Sequence, residues 1–129
     1  MTGPIWIAIE ECIAMHELML AQHGGLRGLR DLGLLESALA KPQNLFVYGK
    51  PSHATMAASY AAGIILNHPF LDGNKRTGFL VAAVFLEVNA QVFTASEESV
   101  IKYTLGLAAG KLKEKDYADW LKKNSRKSD

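Results

Sequence analysis

Two stretches of this chain are almost free of polar side chains, and together they restrict what it can fold into. One begins at Ser52 and runs to about Asn67 (SHATMAASYAAGIILN); the other runs from about Asn74 to Val88 and contains FLVAAVFL. Neither has a polar face to show to water, so both belong inside a core. Periodicity alone does not exclude a strand in so short a run, but the alanines and the absence of turn signals predict helices. Neither run reaches the roughly twenty apolar residues of a membrane span.

The other segments read as helices packed around that pair. Apolar positions Ile9, Ile13, His16 and Leu20 share one helical face, predicting a helix from about Ile7 to Gln22 that Gly24 and Gly25 stop. Asp31 is placed to cap a second helix burying Leu34, Leu35, Ala38 and Leu39, with Pro42 after its end. Residues 42–51 (PQNLFVYGKP) are bounded by prolines and rich in strand formers, which predicts an extended flap. Gln91–Phe93 reads as a short extended piece. Thr94 with Glu97 forms a capping-box pattern for a fifth helix, and Asp116 to about Lys123 makes a sixth. The tail from Asn124 to Asp129 is expected to fray. The fold class is therefore all-α, about six helices with a short flap, in one domain over residues 1–129. A chain of that length is about one domain and buries roughly two-thirds of its unfolded surface.

Composition narrows the function. Fourteen Lys+Arg against thirteen Asp+Glu give a net charge of +1, without the basic excess of a dedicated nucleic-acid binder. Cys12 is the single cysteine, so there is neither an intrachain disulfide nor a zinc site built from several cysteines. The N-terminus, MTGPIWIAIEE, lacks a basic start and meets acids before any long apolar run, so the expected location is cytoplasmic, with no membrane partner.

Chemistry concentrates in the short loop between the two core helices: His68-Pro69-Phe70-Leu71-Asp72-Gly73-Asn74, followed by Lys75, Arg76 and Thr77. Pro69 removes a backbone donor and pushes His68 out of the helical region, ending the helix. Asp72-Gly73 is a turn pair. Lys75 and Arg76 then fall in the first turn of the next helix, where unpaired N–H groups already present partial positive charge. A cation there is unfavourable by roughly 0.3–1 kcal/mol, and a bound anion reverses the sign. Free amides, a permissive Gly73 and two cations form a cradle for phosphate. The bland alternative is that both side chains face solvent or pair with Asp72 or Glu36. His68 can accept a proton near neutral pH; Asp72 can hold Mg²⁺ or orient an attacking group; Asn74 can donate to a phosphate oxygen. Each also has a plainer role, His68 as a helix-end cation and Asp72 and Asn74 as turn formers.

The run HPFLDGNKRTG closely resembles the HPFxDGNxR motif of the Fic/Doc (Fido) superfamily. The lysine in NKRT, the short chain and the upstream HGGLRGLRDLGLLESALAKPQNLFVYG resemble its death-on-curing (Doc) toxin branch. The resemblance implies a Fic/Doc-like bundle with His68 as general base, Asp72 on Mg²⁺, and Gly73, Asn74 and Arg76 around the phosphates of ATP. Fic-type members move AMP onto a target hydroxyl. Doc-branch members instead move the terminal phosphoryl group to a protein threonine, elongation factor Tu being the type of target. Lys75 stands where adenylylating members have Gly, and Phe79 where many carry a second motif Arg; both departures favour the Doc-like reaction, with Lys75 joining the catalytic set. A toxin of this branch implies an antitoxin whose disordered tail folds onto it, here expected in an apolar groove near Phe46–Tyr48. The alternatives are a Fic-type adenylyltransferase and a non-catalytic module that binds nucleotide or antitoxin.

Other candidates fail on spacing. His16-Glu17 is followed by Leu20, so HExxH is absent. His16 and His23 lie about 10.5 Å apart along a helix, too far to share one zinc at ~2.1 Å each. His16 on an apolar stripe is read as a core histidine.

Overall fold

The computed structural model describes residues 3–129, which form six helices and a two-stranded sheet: α1 (Ile9–His23), α2 (Leu32–Gly49), α3 (His53–Asn67), α4 (Asn74–Val88), β1 (Gln91–Phe93), α5 (Glu97–Ala108), α6 (Glu114–Lys123) and β2 (Ser125–Lys127). The all-α expectation holds. The helix α3 is the axis: α2, α4, α5 and α6 all pack on it, and α1 leans on α4 and α2. From Ala54 to Ile65 every residue of α3 but Thr55 is buried, as its missing polar face requires. Small residues let neighbours close in. A Cβ on Gly63 would sit 2.8 Å from Ala38 Cβ of α2, and one on Gly78 of α4 only 2.6 Å from Ile65 Cγ1 of α3.

Two aromatic groups fasten the ends of the bundle. Trp6 lies on Phe85 with ring centroids 5.9 Å apart and meets Phe46 edge-on, while Trp120 stacks on Tyr103 at 4.9 Å and touches Phe79, Phe93 and Tyr117. No helix among the described residues is long and apolar enough to cross a membrane.

Local signals set most boundaries. Asp31, Ser52 and Ser96 cap α2, α3 and α5, each side chain accepting from the third helical amide. The cap of α5 is thus Ser96 rather than Thr94. In α6, which begins at Glu114, Asp116 reaches back to the Lys113 amide.

Two further expectations are corrected. The flap expected over residues 42–51 is helical to Gly49, with Pro42 buried inside α2. The lost Pro42 amide costs one helical hydrogen bond, but continuing the helix carries Phe46 onto Trp6. The tail is not frayed throughout: β2 pairs antiparallel with β1, Val92 opposite Arg126, extended by Thr94 N–H to Asn124 O and Ser128 N–H to Ala90 O. That pairing joins residues more than thirty apart, and no local pattern announces it.

Candidate active site

The loop between α3 and α4 is a rigid turn held from three sides. His68 ends α3 in a left-handed conformation (φ 51°, ψ 57°), its amide donating to Ile64 O at 3.2 Å. Pro69 and Phe70 turn inward and are buried. Phe70 pairs with Leu29 in a single antiparallel bridge, and Leu71 N–H donates to Gly28 O at 3.0 Å. The His16 ring lies flat on Phe70, centroids 3.8 Å apart, and its Nε2–H donates to the carbonyl of Asp72 at 2.8 Å. The expectation of a buried histidine holds, yet His16 does more than fill the core: it fixes the turn that starts α4.

Asp72 is exposed, and both carboxylate oxygens accept backbone amides, Oδ2 from Leu26 at 3.1 Å and Oδ1 from Gly73 at 2.9 Å. The Leu26 amide, then the Gly73 amide, holds its carboxyl below the usual 3.8, with smaller help from His16 and Lys75. Gly25 (φ 127°) makes room for it, since a Cβ there would come within 2.8 Å of Asp72 Oδ2. Gly73 (φ 77°) is the N-cap of α4 in the left-handed region that only glycine adopts freely.

With no side chain at the cap, nothing closes the start of α4. The amides of Asn74, Lys75 and Arg76 precede the first helical bond, Thr77 N–H to Gly73 O, and meet no acceptor among the described residues. The first turn carries no acid, as in α2 and α3 and unlike α1, α5 and α6, but only here does it carry two adjacent cations. Lys75 and Arg76 are exposed, and among the described residues the one ion pair within 4 Å is Lys41–Glu114. Pairing of the two cations with Asp72 or Glu36 is therefore not seen. Asn74 is buried, with Nδ2 donating to Phe70 O and Oδ1 accepting from Phe70 N, both at 3.0 Å. Its side chain clamps the loop, and its main chain contributes the first free amide.

A groove of about 640 Å³ opens over this helix start. It is lined by Asp72, Gly73, Asn74, Lys75 and Arg76, by Met19 and His23 of α1, by Phe79 and Leu80, and by Val100, Ile101, Thr104 and Leu105 of α5. Five of the six site residues expected from sequence thus share one groove. His68 is not among its lining residues; exposed, it stands at the opposite end of the same loop. None of Phe46–Tyr48 borders the groove. Sequence reading missed Arg30, whose guanidinium meets the end of α3, and the Leu26 amide on Asp72. The cluster Gly24, Gly25 and Gly28 was the signal that this stretch runs close against another backbone.

Residues 6–86, which include the whole motif loop, match the Fic/DOC family, and the chain belongs to it. Over 119 residues, covering 91% of this chain and 93% of the relative, it is 33% identical to a protein kinase Doc of Escherichia phage P1. It is also 41% identical over 69 residues to a toxin Doc of Mycolicibacterium smegmatis, a match spanning 51% of this chain and 52% of that protein.

Proposed function

We propose that this protein is a Doc-type toxin that transfers the terminal phosphoryl group of ATP to a Ser or Thr hydroxyl of a translation factor such as elongation factor Tu. The observation that carries the reading is the open start of α4: three amides and two flanking cations that meet no partner among the described residues. An anion bound there turns an unfavourable charge arrangement into a favourable one. Similarity to a protein named a kinase and to one named a toxin favours phosphoryl transfer and growth inhibition over the other readings.

The chemistry follows from the residues. Lys75 and Arg76, with the amides of residues 74–76, bind the phosphates and offset the charge that builds on the transferred group. The acceptor oxygen bonds to the terminal phosphorus as the bond to the bridging oxygen breaks, and ADP leaves with that electron pair. The hydroxyl proton passes to the His68 imidazole. Asp72, an exposed carboxylate that its amide partners keep ionised, would be the residue to hold Mg²⁺; the ion would supply further neutralisation of phosphate charge. Among the described residues no group of three or more His, Cys, Asp or Glu could hold a metal alone.

The partner in this reading is an antitoxin whose disordered tail folds on binding. An amphipathic helix would lie in the groove, its apolar side on Ile101 and Leu105, which are half-exposed one turn apart, and acids against Lys75 and Arg76.

Incubation with ATP, Mg²⁺ and purified elongation factor Tu, followed by mass analysis, tests the reaction. One phosphoryl group on a threonine, absent with His68→Ala, is the expected product. An AMP adduct would reassign the protein as an adenylyltransferase. No adduct on any protein of a translation extract would overturn both.

A further inference from the structure

The backbone leaves α3 through three consecutive carbonyl groups, and donors from Arg30 and Asp31 take all three. Arg30 Nη2–H donates to Asn67 O at 2.7 Å and Nε–H to His68 O at 2.6 Å. The Arg30 amide donates to Pro69 O at 2.7 Å, and the Asp31 amide to the same oxygen at 3.0 Å. The contact joins residues 37 and 38 positions apart, so it is a tertiary clamp rather than a local cap.

What the clamp holds is an unfavourable shape. His68 has φ 51° and ψ 57°, which a Cβ resists, and the following proline narrows its backbone choices further. Such a conformation persists only where the surroundings over-determine it. The His68 side chain is exposed, and its ring makes no hydrogen bond among the described residues. With no hydrogen bond to hold the ring, the direction of its Cα–Cβ bond is set by the backbone, and at His68 itself the side chain that grips the backbone is Arg30. The planar guanidinium matches this geometry, because its fork meets two adjacent carbonyls at once and its charge faces the negative end of α3. A lysine offers one point charge and cannot span both.

We propose that Arg30 is the positioning residue of the general base, holding His68 in its left-handed turn so that the imidazole faces the acceptor hydroxyl. This rests on the reading of His68 as the base. Asp31 caps α2 in the next position, so the clamp also ties the active loop to the frame of α2.

The test uses the full chain with Arg30→Ala and Arg30→Lys, followed by nuclear magnetic resonance of the His68 amide and imidazole. Transfer kinetics are read in parallel, with ATP labelled on its terminal phosphorus and elongation factor Tu as acceptor. Arg30→Ala is expected to shift the His68 signals, speed exchange of its amide, and lower kcat by about 10–100-fold while KM for ATP stays within about two-fold. Arg30→Lys should fall between, and it decides the matter should Arg30→Ala not fold. Unmoved His68 signals with unchanged kcat would overturn the proposal, and so would a loss that appears wholly in KM. Absence of transfer by the folded parent would instead defeat the kinase reading, leaving the His68 signals alone to judge Arg30, whereas transfer that survives His68→Ala would remove His68 as the base and overturn the proposal.

Discussion

Asn74 and Phe70 close a two-way amide ring, Oδ1 accepting from the Phe70 N–H and Nδ2 donating to the Phe70 carbonyl, both at 3.0 Å. The other end of α4 repeats the device: Asn89 accepts from Ile5 N–H at 2.7 Å and donates to Ile5 O at 2.9 Å. A short polar side chain thus pins the incoming backbone at each end of the helix. At the first end, this leaves the amide row of α4 facing the groove instead of the loop that precedes it.

Asn74→Ala leaves the buried Phe70 N–H and C=O without their partners. An unsatisfied buried donor or acceptor costs about 1–3 kcal/mol, so with two left unpaired the variant should lose about 2–6 kcal/mol. Urea unfolding should show a lower midpoint at unchanged slope.

His16→Phe keeps an aromatic ring against Phe70 but removes the donor to the Asp72 carbonyl. The expected loss is about 1–3 kcal/mol. Faster amide exchange should appear at Gly73 and Asn74 before it appears in the centre of α3.

The Asp72 carboxylate sets a pH window. Its folded pKa lies below the ordinary 3.8 because the Leu26 and Gly73 amides favour the ionised form. A depressed folded pKa gives stability that is fully present above the unfolded pKa and is lost as pH falls through the folded one. Asp72→Asn should therefore be less stable than the parent at neutral pH. The gap should close below the ordinary aspartate range, as thermal melts from neutral to acid pH would show.

Gly78→Ala tests the closest approach in the core. The new Cβ would meet Ile65 Cγ1 at 2.6 Å and the Ala61 carbonyl at 3.1 Å. Overpacking of this kind costs roughly 1–3 kcal/mol. The melting temperature should drop, against the usual gain of a helical Gly→Ala change.

Much of this was legible because it is local. The bounds of α3 and α4 follow from Ser52, Pro69, Gly73 and Asn89, each acting within a turn of its own position. The motif residues from Asp72 to Arg76 are contiguous, so the folded chain could hardly separate them. Pro42 misled because a proline rule describes one residue's hydrogen bond, whereas the course of α2 is decided by what Phe46 gains on Trp6. Likewise β2 depends on β1, and the grip of Arg30 on His68 depends on a loop 38 residues away. Thr94 and Ser96 are both good caps, and their order along the chain could not choose between them.

The central claim is that the start of α4 is built to bind the phosphates of a nucleotide. Calorimetric titration with a non-hydrolysable ATP analogue and Mg²⁺ tests it most directly. The account predicts binding to the parent and to His68→Ala alike, weakened at least about ten-fold by Arg76→Ala and by Lys75→Ala, since charge-assisted contacts are worth about 1.5–3 kcal/mol. Failure of the folded parent to bind, or equal affinity of all four proteins, would contradict it.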